Sequence, residues 1–160
     1  LPVKVVYTCY GGTHSSPVAA AIHLGWLPAD REPVPEELLR VPRFDRAKSG
    51  DFGRIERMGR DEAGHDVYVL GRGPRPEPVE RAFMSGYMAA GGDPRDVFLV
   101  CTLSCVNGAM RLGGFMSRRV GWVTLGRPIA VWGTRRAYMA LVRLVLQTKE
   151  ALKVMEAERK

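Results

Sequence analysis

The chain reads as one α/β layered domain, Rossmann-like or P-loop-like, with a mainly parallel sheet and an added β-hairpin. Three observations predict this. Apolar, β-branched runs are followed by a loop and a helical segment three times along the chain, the pattern of a parallel sheet with helical crossovers. The length, 160 residues, suits a single core. The composition, 46% hydrophobic and 26% charged, is that of a globular domain and excludes disorder and collagen-like repeats. Apolar stretches such as Val97 to Cys101 fall far short of the ~20 residues of a membrane-spanning helix, so no span is expected.

Each element has its own warrant. Val3 to Cys9 is β-branched and mostly apolar, a buried strand. Ser16 followed by Pro17 marks a helix start, a hydroxyl cap and then proline at the first helical position, and Gly25 ends that helix. Residues 26–50 are rich in Pro, Arg and Asp, and only Pro35 to Arg40 reads as a short helix. Residues 53–71 read as an inserted hairpin, with strands Arg54–Arg60 and His65–Leu70 around Asp61-Glu62-Ala63-Gly64 and His65 exposed beyond the turn. Gly73 to Pro76 links it to a helix over Pro78 to Ala90. Val97–Thr102 is the second strand, Leu103-Ser104-Cys105 its loop and Val106–Val120 its helix, the last weakened by Gly108, Gly113 and Gly114. A third unit follows, with a strand at Pro128–Trp132, a turn at Gly133-Thr134 and a long helix over residues 135–158.

Ligands of open α/β sheets sit beyond the C-terminal strand ends. Those ends carry residues 9–16, 102–107 and 133–136, rich in small, hydroxyl, thiol and arginine side chains. Gly11, Gly12, Thr13, Ser15 and Ser16 form a phosphate cradle on this reading. The glycines let N–H groups approach an anion, the hydroxyls donate, and the helix N-terminus adds partial positive charge. Tyr10, Thr102, Cys105, Asn107 and Thr134 line the pocket wall. Cys101 is expected inside the sheet, with Cys105 at the loop.

Charge points the same way. The chain has 24 basic and 17 acidic residues, net +7, and residues 97–149 hold eight basic side chains and no acidic one. An uncompensated field of this kind favours an anionic partner. Arg118, or Arg135 at the start of the last helix, is the candidate to neutralise a phosphate, because a cation at a helix start is otherwise unfavourable. The three cysteines have no disulfide-scaffold or zinc-knuckle spacing, so no metal is assigned. With no export signal at the start of the chain, they are expected as reduced thiols in the cytoplasm.

The loop fits some phosphate machines and not others. Aligning Thr13-His14-Ser15 with the G-K-[ST] of a Walker loop puts Thr8 at its first glycine and His14 in place of lysine, which disfavours ordinary NTP hydrolysis. A tyrosine-phosphatase loop needs Cys-x5-Arg, and counting from Cys9 the arginine position is held by Ser15. Cys9-x-x-Gly12-x-x-Ser15-Ser16 resembles the phosphocysteine loop of sugar phosphotransferase-system B components. That resemblance covers about eight residues and implies a nucleophilic Cys9. The other reading of Cys9 is a small buried strand residue. His14 is the second candidate for chemistry, as phosphoryl donor or general acid, beside plain anion binding or a structural contact.

The segments Tyr10-Gly11-Gly12-Thr13-His14-Ser15-Ser16, Gly59-x-Asp61-Glu62-x-Gly64-His65-x-Val67-Tyr68, Cys105-Val106-Asn107 and Gly113-Gly114-Phe115-x-Ser117-Arg118-Arg119 together resemble an uncharacterised bacterial domain family of endospore-forming Gram-positives. The resemblance implies a bacterial, sporulation-linked setting and no activity or cofactor. The leading expectation is binding of a phosphorylated small molecule or nucleotide, with phosphoryl transfer as the enzymatic option. Two readings stand beside it, a basic nucleic-acid-binding module and a non-enzymatic partner of an acidic protein.

Overall fold

The computed structural model describes residues 2–46, 51–106 and 123–159, with the side chains of the last helix described from residue 126. In chain order the elements are β1 (Lys4–Cys9), α1 (Ser15–His23), α2 (Pro35–Arg40), β2 (Ile55–Arg60), β3 (Asp66–Gly71), α3 (Pro76–Ala89), β4 (Val97–Cys101) and α4 (Val123–Glu158). The strands form one sheet of order β2-β3-β1-β4. β1 pairs parallel to both β3 and β4, and β2 pairs antiparallel to β3. The α/β class and the mainly parallel sheet therefore hold. No helix among the described residues is long and apolar enough to cross a membrane.

Side-chain alternation along β1 sorts the layers. Val5 and Tyr7 pack with Val18, Ala19 and Ile22 of α1 and with Tyr138, Leu141 and Val145 of α4 in the main core. On the other face, the Lys4 ammonium lies 5.3 Å from the Tyr87 ring of α3. The chain thus leaves β1 on one side through α1 to β3, then crosses through α3 on the opposite face to β4. The direction of winding reverses between β1 and β4, which is where sheets of this kind open a crevice at their C-terminal edge.

One expected element holds and another is corrected. The hairpin expected over 53–71 is present, β2 antiparallel to β3, and it is built into the sheet, because β3 is an inner strand in parallel register with β1, Val5 opposite Val67 and Tyr7 opposite Val69. The strand expected at Pro128–Trp132 and the turn at Gly133-Thr134 are helical, both inside α4. Ala130, Val131, Thr134, Ala137, Tyr138, Leu141, Val142 and Val145 are buried at three- and four-residue spacing. That stripe outweighs the local β-propensity of Ile129-Ala130-Val131-Trp132. Pro128 is the sixth residue of α4, near enough to its start that little of the helical ladder precedes it.

The end of the sheet at the N-termini of its parallel strands holds a buried polar chain. The Tyr7 hydroxyl is 2.8 Å from His23 Nδ1, and His23 Nε2 is 2.9 Å from Asp61 Oδ2 in the β2–β3 turn. The His65 N–H donates to Asp61 Oδ1, and the Val3 N–H donates to His65 Nδ1. His65 is therefore buried, not exposed beyond the turn. Because an ionised carboxylate only accepts, Asp61 fixes the proton of a neutral His23 on Nε2 and leaves Nδ1 to accept from Tyr7. Burial pushes His23 below its ordinary value of 6.5, against the upward pull of Asp61. Burial also acts to raise Asp61, but the hydrogen bonds from His23 and the His65 N–H outweigh it and hold the carboxyl below its ordinary value.

A group depressed in the folded state leaves the unfolded chain holding more protons, so stability rises with pH and is lost as pH drops. The loss from His23 begins as pH drops through 6.5 and continues toward its lower folded value. Urea denaturation at stepped pH should show a falling midpoint between about pH 7 and 5 in the natural protein, and a flatter profile in His23→Gln. Equal slopes in the two proteins would remove His23 as the titrating group.

Candidate functional site

The C-terminal end of β1 runs straight into the glycine and hydroxyl loop, and the neighbouring strands hold that junction from both sides. The Arg72 N–H donates to the Cys9 carbonyl at 2.9 Å and the Gly73 N–H to the Tyr10 carbonyl at 2.8 Å. On the β4 side the Thr102 N–H donates to the Thr8 carbonyl at 2.9 Å. The loop backbone lies directly on β3. A Cβ on Gly71 would stand 2.9 Å from the Gly11 carbonyl carbon, and one on Gly12 3.0 Å from the Gly71 nitrogen. Gly12 also has φ +66°, the left-handed region that glycine enters without steric cost.

The loop is wrapped around a sulfur atom. Cys9 is only 4% exposed. Its Sγ accepts the Gly12 N–H at 3.0 Å and lies 3.0 Å from Ser16 Oγ, with either atom able to donate. Ser16 therefore does not cap α1, and the residue before that helix, His14, makes no side-chain cap either. Next to it the Thr102 hydroxyl is 2.8 Å from Ser15 Oγ and 3.0 Å from the Thr8 carbonyl, so its one proton is within reach of both. Thr13, Ser15, Ser16 and Thr102 are all buried. The structure thus brings the β1 and β4 ends together through Ser15 and Thr102.

His14 is anchored beside this cluster. Its Nε2 is 3.2 Å from Asp45 Oδ1, its Nδ1 is 3.4 Å from Thr13 Oγ1, and its ring meets Phe44 edge-on at 5.5 Å between centroids. Asp45 has a fully buried side chain, and its second oxygen accepts from Arg127 Nε of α4 at 2.9 Å. The Asp45 N–H returns to the Thr13 carbonyl. Arg43 Nε approaches the Gly12 carbonyl at 3.5 Å, and its guanidinium pairs with Glu56 and Asp51. Arg43 and Asp45 both have positive φ, 66° and 54°. For residues bearing a Cβ that costs roughly 1–2 kcal/mol each, which the contacts of this segment must offset.

The other expected site residues fare differently. Tyr10 is exposed and packs edge-on against Phe52. Cys105 is half-buried against the core, 3.9 Å from Ser104 Oγ. Thr134 is buried inside α4, where its hydroxyl donates to the Ala130 carbonyl one turn back. Arg135 lies inside α4 rather than at its start, and its guanidinium is 3.6 Å from Glu32, so the argument from an unfavourable helix end does not apply. Asn107, Arg118 and all but the first residue of the helix expected over 106–120 lie outside the described residues.

The basic half is also less bare than its composition implies, because folding sets acidic groups of the first half against it. Asp45 meets Arg127, Glu32 meets Arg135 and Glu62 meets Lys149. A groove of about 500 Å³ between α2 and α4 is lined by Pro35, Leu39, Pro128, Val131 and Trp132 together with Arg127 and Arg135. It does not contain Cys9. Among its lining residues, Arg127 is linked to the loop through Asp45 and His14. The residues that sequence reasoning passed over are Arg43, Asp45 and Arg127, and the one signal for the first two was the density of charge around Phe44.

Fold and loop together define an α/β domain whose first strand-to-helix turn is centred on a buried thiol. Residues 4–150 match the family described as Protein of unknown function (DUF3189), and the chain belongs to that family. No curated protein and no solved structure matches it.

The close packing of Gly71 on the loop is testable. Gly71→Ala should lower stability by about 1–3 kcal/mol, because the obstructing atoms are backbone. Gly86→Ala, inside α3 where nothing lies within 4 Å of the added carbon, should raise it by roughly 0.5–1 kcal/mol. Denaturant midpoints check both, and a neutral Gly71→Ala would mean the loop is free to lift from β3.

Proposed function

We propose that this protein binds a phosphorylated small molecule or nucleotide at the β1–α1 loop, and that Cys9 is its phosphoryl acceptor. The observation that carries the reading is the pair of contacts on Cys9 Sγ, the Gly12 N–H and the Ser16 hydroxyl, at the start of a nine-residue helix. These groups and the start of the helix surround the position that phosphoryl oxygens on the sulfur would take, where N–H and hydroxyl donors suit them. In the transfer, the sulfur attacks phosphorus, an S–P bond forms, and the P–O bond to the leaving group breaks with its electron pair going to that oxygen. The phosphoryl oxygens then take over the donors of Gly12, Ser15 and Ser16. Anchoring by Asp45 makes His14 the group positioned to hold a proton for the leaving oxygen. Helices on both faces of the sheet and a site at the reversal of winding support the finer description, Rossmann-like or P-loop-like.

A second reading, an acidic protein partner, is favoured by the groove between α2 and α4, where the exposed Trp132 ring lies under the Arg136 guanidinium at 4.9 Å. It requires no chemistry at Cys9.

Thermal shift with phosphate, sulfate, nucleotides and sugar phosphates at fixed ionic strength separates the two. A ligand at 100 times its Kd adds about 2.7 kcal/mol, roughly 5–10 °C at this size. The rise should vanish in the Ser15→Ala, Ser16→Ala double variant, measured against its own unliganded Tm. Cys9→Ala should retain a rise while losing acid-labile, protein-bound phosphate. A flat response of the natural protein to every anion would overturn the phosphate reading and leave the partner reading standing.

A further inference from the structure

The face of the sheet that carries α3 presents a thiol that the loop does not use. Cys101 ends β4 and is exposed, contrary to its expected place inside the sheet. Its register partner is Thr8, so its side chain lies on the face opposite Cys9. Arg72, the first residue after β3, reaches it from below. Its side chain is 9% exposed, and its Nη2 donates to Cys101 Sγ at 3.1 Å. Nη1, on the far side of the guanidinium, is paired with Glu80 of α3. Nε is buried and has no hydrogen-bond partner among the described residues.

This arrangement is half of a fork. Nε–H and one Nη2–H project from the same edge of a guanidinium, the edge that takes two acceptors side by side. Here one prong holds sulfur, and the other has no acceptor among the described residues. A buried N–H without an acceptor is unfavourable, and an oxygen bonded to Cys101 Sγ would stand where the second prong can use it. A thiol is a weak acceptor for a buried cation, whereas a sulfur-bound anionic oxygen is a strong one.

We propose that Cys101 is an oxidation site for hydroperoxides, with Arg72 as the positioning residue that holds the sulfur and receives the product. The thiolate form of Cys101 attacks the terminal peroxide oxygen. An S–O bond forms and the O–O bond breaks, with its electron pair leaving on the distal oxygen. With hydrogen peroxide, the departing hydroxide takes the proton of the new sulfenic acid, giving sulfenate and water. Sulfur loses two electrons and the peroxide gains them. The sulfenate oxygen accepts from Arg72 Nε–H and completes the fork, which favours retention at the sulfenate stage, the reversible one of the oxidation series.

This site is separate from the phosphate loop, since Cys101 and Cys9 lie on opposite faces of the sheet. The test is brief exposure of the full chain to hydrogen peroxide with dimedone, a 1,3-dione that traps sulfenic acids, read by peptide mass spectrometry at Cys101 and Cys105. Cys101 should be trapped about ten-fold faster than Cys105, the half-buried thiol with no arginine partner among the described residues. Arg72→Gln should slow Cys101 by about ten-fold. Arg72→Lys keeps the charge and stem but has no fork, and should fall between the two. If Arg72→Gln does not fold, Arg72→Lys decides the matter. A natural-protein rate no faster than that of Cys105, or an undiminished rate at Cys101 in either folded variant, overturns the proposal.

Discussion

The contact on which the functional end of this molecule depends is the one between Cys9 sulfur and the Gly12 N–H. It closes the chain back on itself three residues after the strand ends. That return needs a positive φ at Gly12 and brings the loop backbone down on Gly71, where no side chain fits. With the loop pinned there, Ser16 faces the sulfur and Ser15 faces Thr102 across the β1–β4 boundary. The start of α1 follows from this closure and not from a side-chain cap. His14, the residue before the helix, turns to the buried Asp45 instead, and Asp45 ties the loop to α4 through Arg127.

A second constraint acts at the other end of the same strand. Tyr7 and Cys9 share one face of β1, so the register that seats the sulfur also seats the Tyr7 hydroxyl against His23. From there the chain of polar contacts continues to Asp61 and His65, which fix the β2–β3 turn against the last residue before β1. A one-residue slip would lose both ends together. Burying such groups is tolerable only because each finds a partner, and burial pushes the Tyr7 hydroxyl far above its ordinary range, so it acts as a proton donor and not as a base.

Much of this was legible in the sequence where local pattern and tertiary role agree. β1, the loop, α1, the two strands around Asp61 to Gly64, α3 and β4 all follow from alternation, turn residues and proline at helix starts. The misreading of Pro128 to Thr134 has a specific cause. A short β-branched run after proline is ambiguous, and only the stripe continuing to Val145 reveals the helical period. Charge misled in a related way. A count along the chain shows residues 97–149 without acids, but Glu32, Asp45 and Glu62 reach them only through folding. Asp45 itself lies in a segment with two positive-φ residues and little regular structure, so no periodicity marks it.

If the loop serves the proposed anion chemistry, its occupied donors bear on which kind it would be. An empty cradle would present its donors outward, ready for a free phosphate. Here the Gly12 N–H is already on sulfur, Ser16 is against the same atom, and the Thr102 proton is shared within the cluster. A phosphate that merely docked would have to break these contacts and bury its charge next to a sulfur that competes for the same donors. On the proposed reading, a phosphoryl group attached to that sulfur would place its oxygens where these donors already point. It keeps the donors and adds oxygens to accept them, so the favourable electrostatics of the helix start are retained through the transfer. Within the proposed phosphate reading, these occupied donors are the reason a covalent role for Cys9 is put forward in place of a passive cradle.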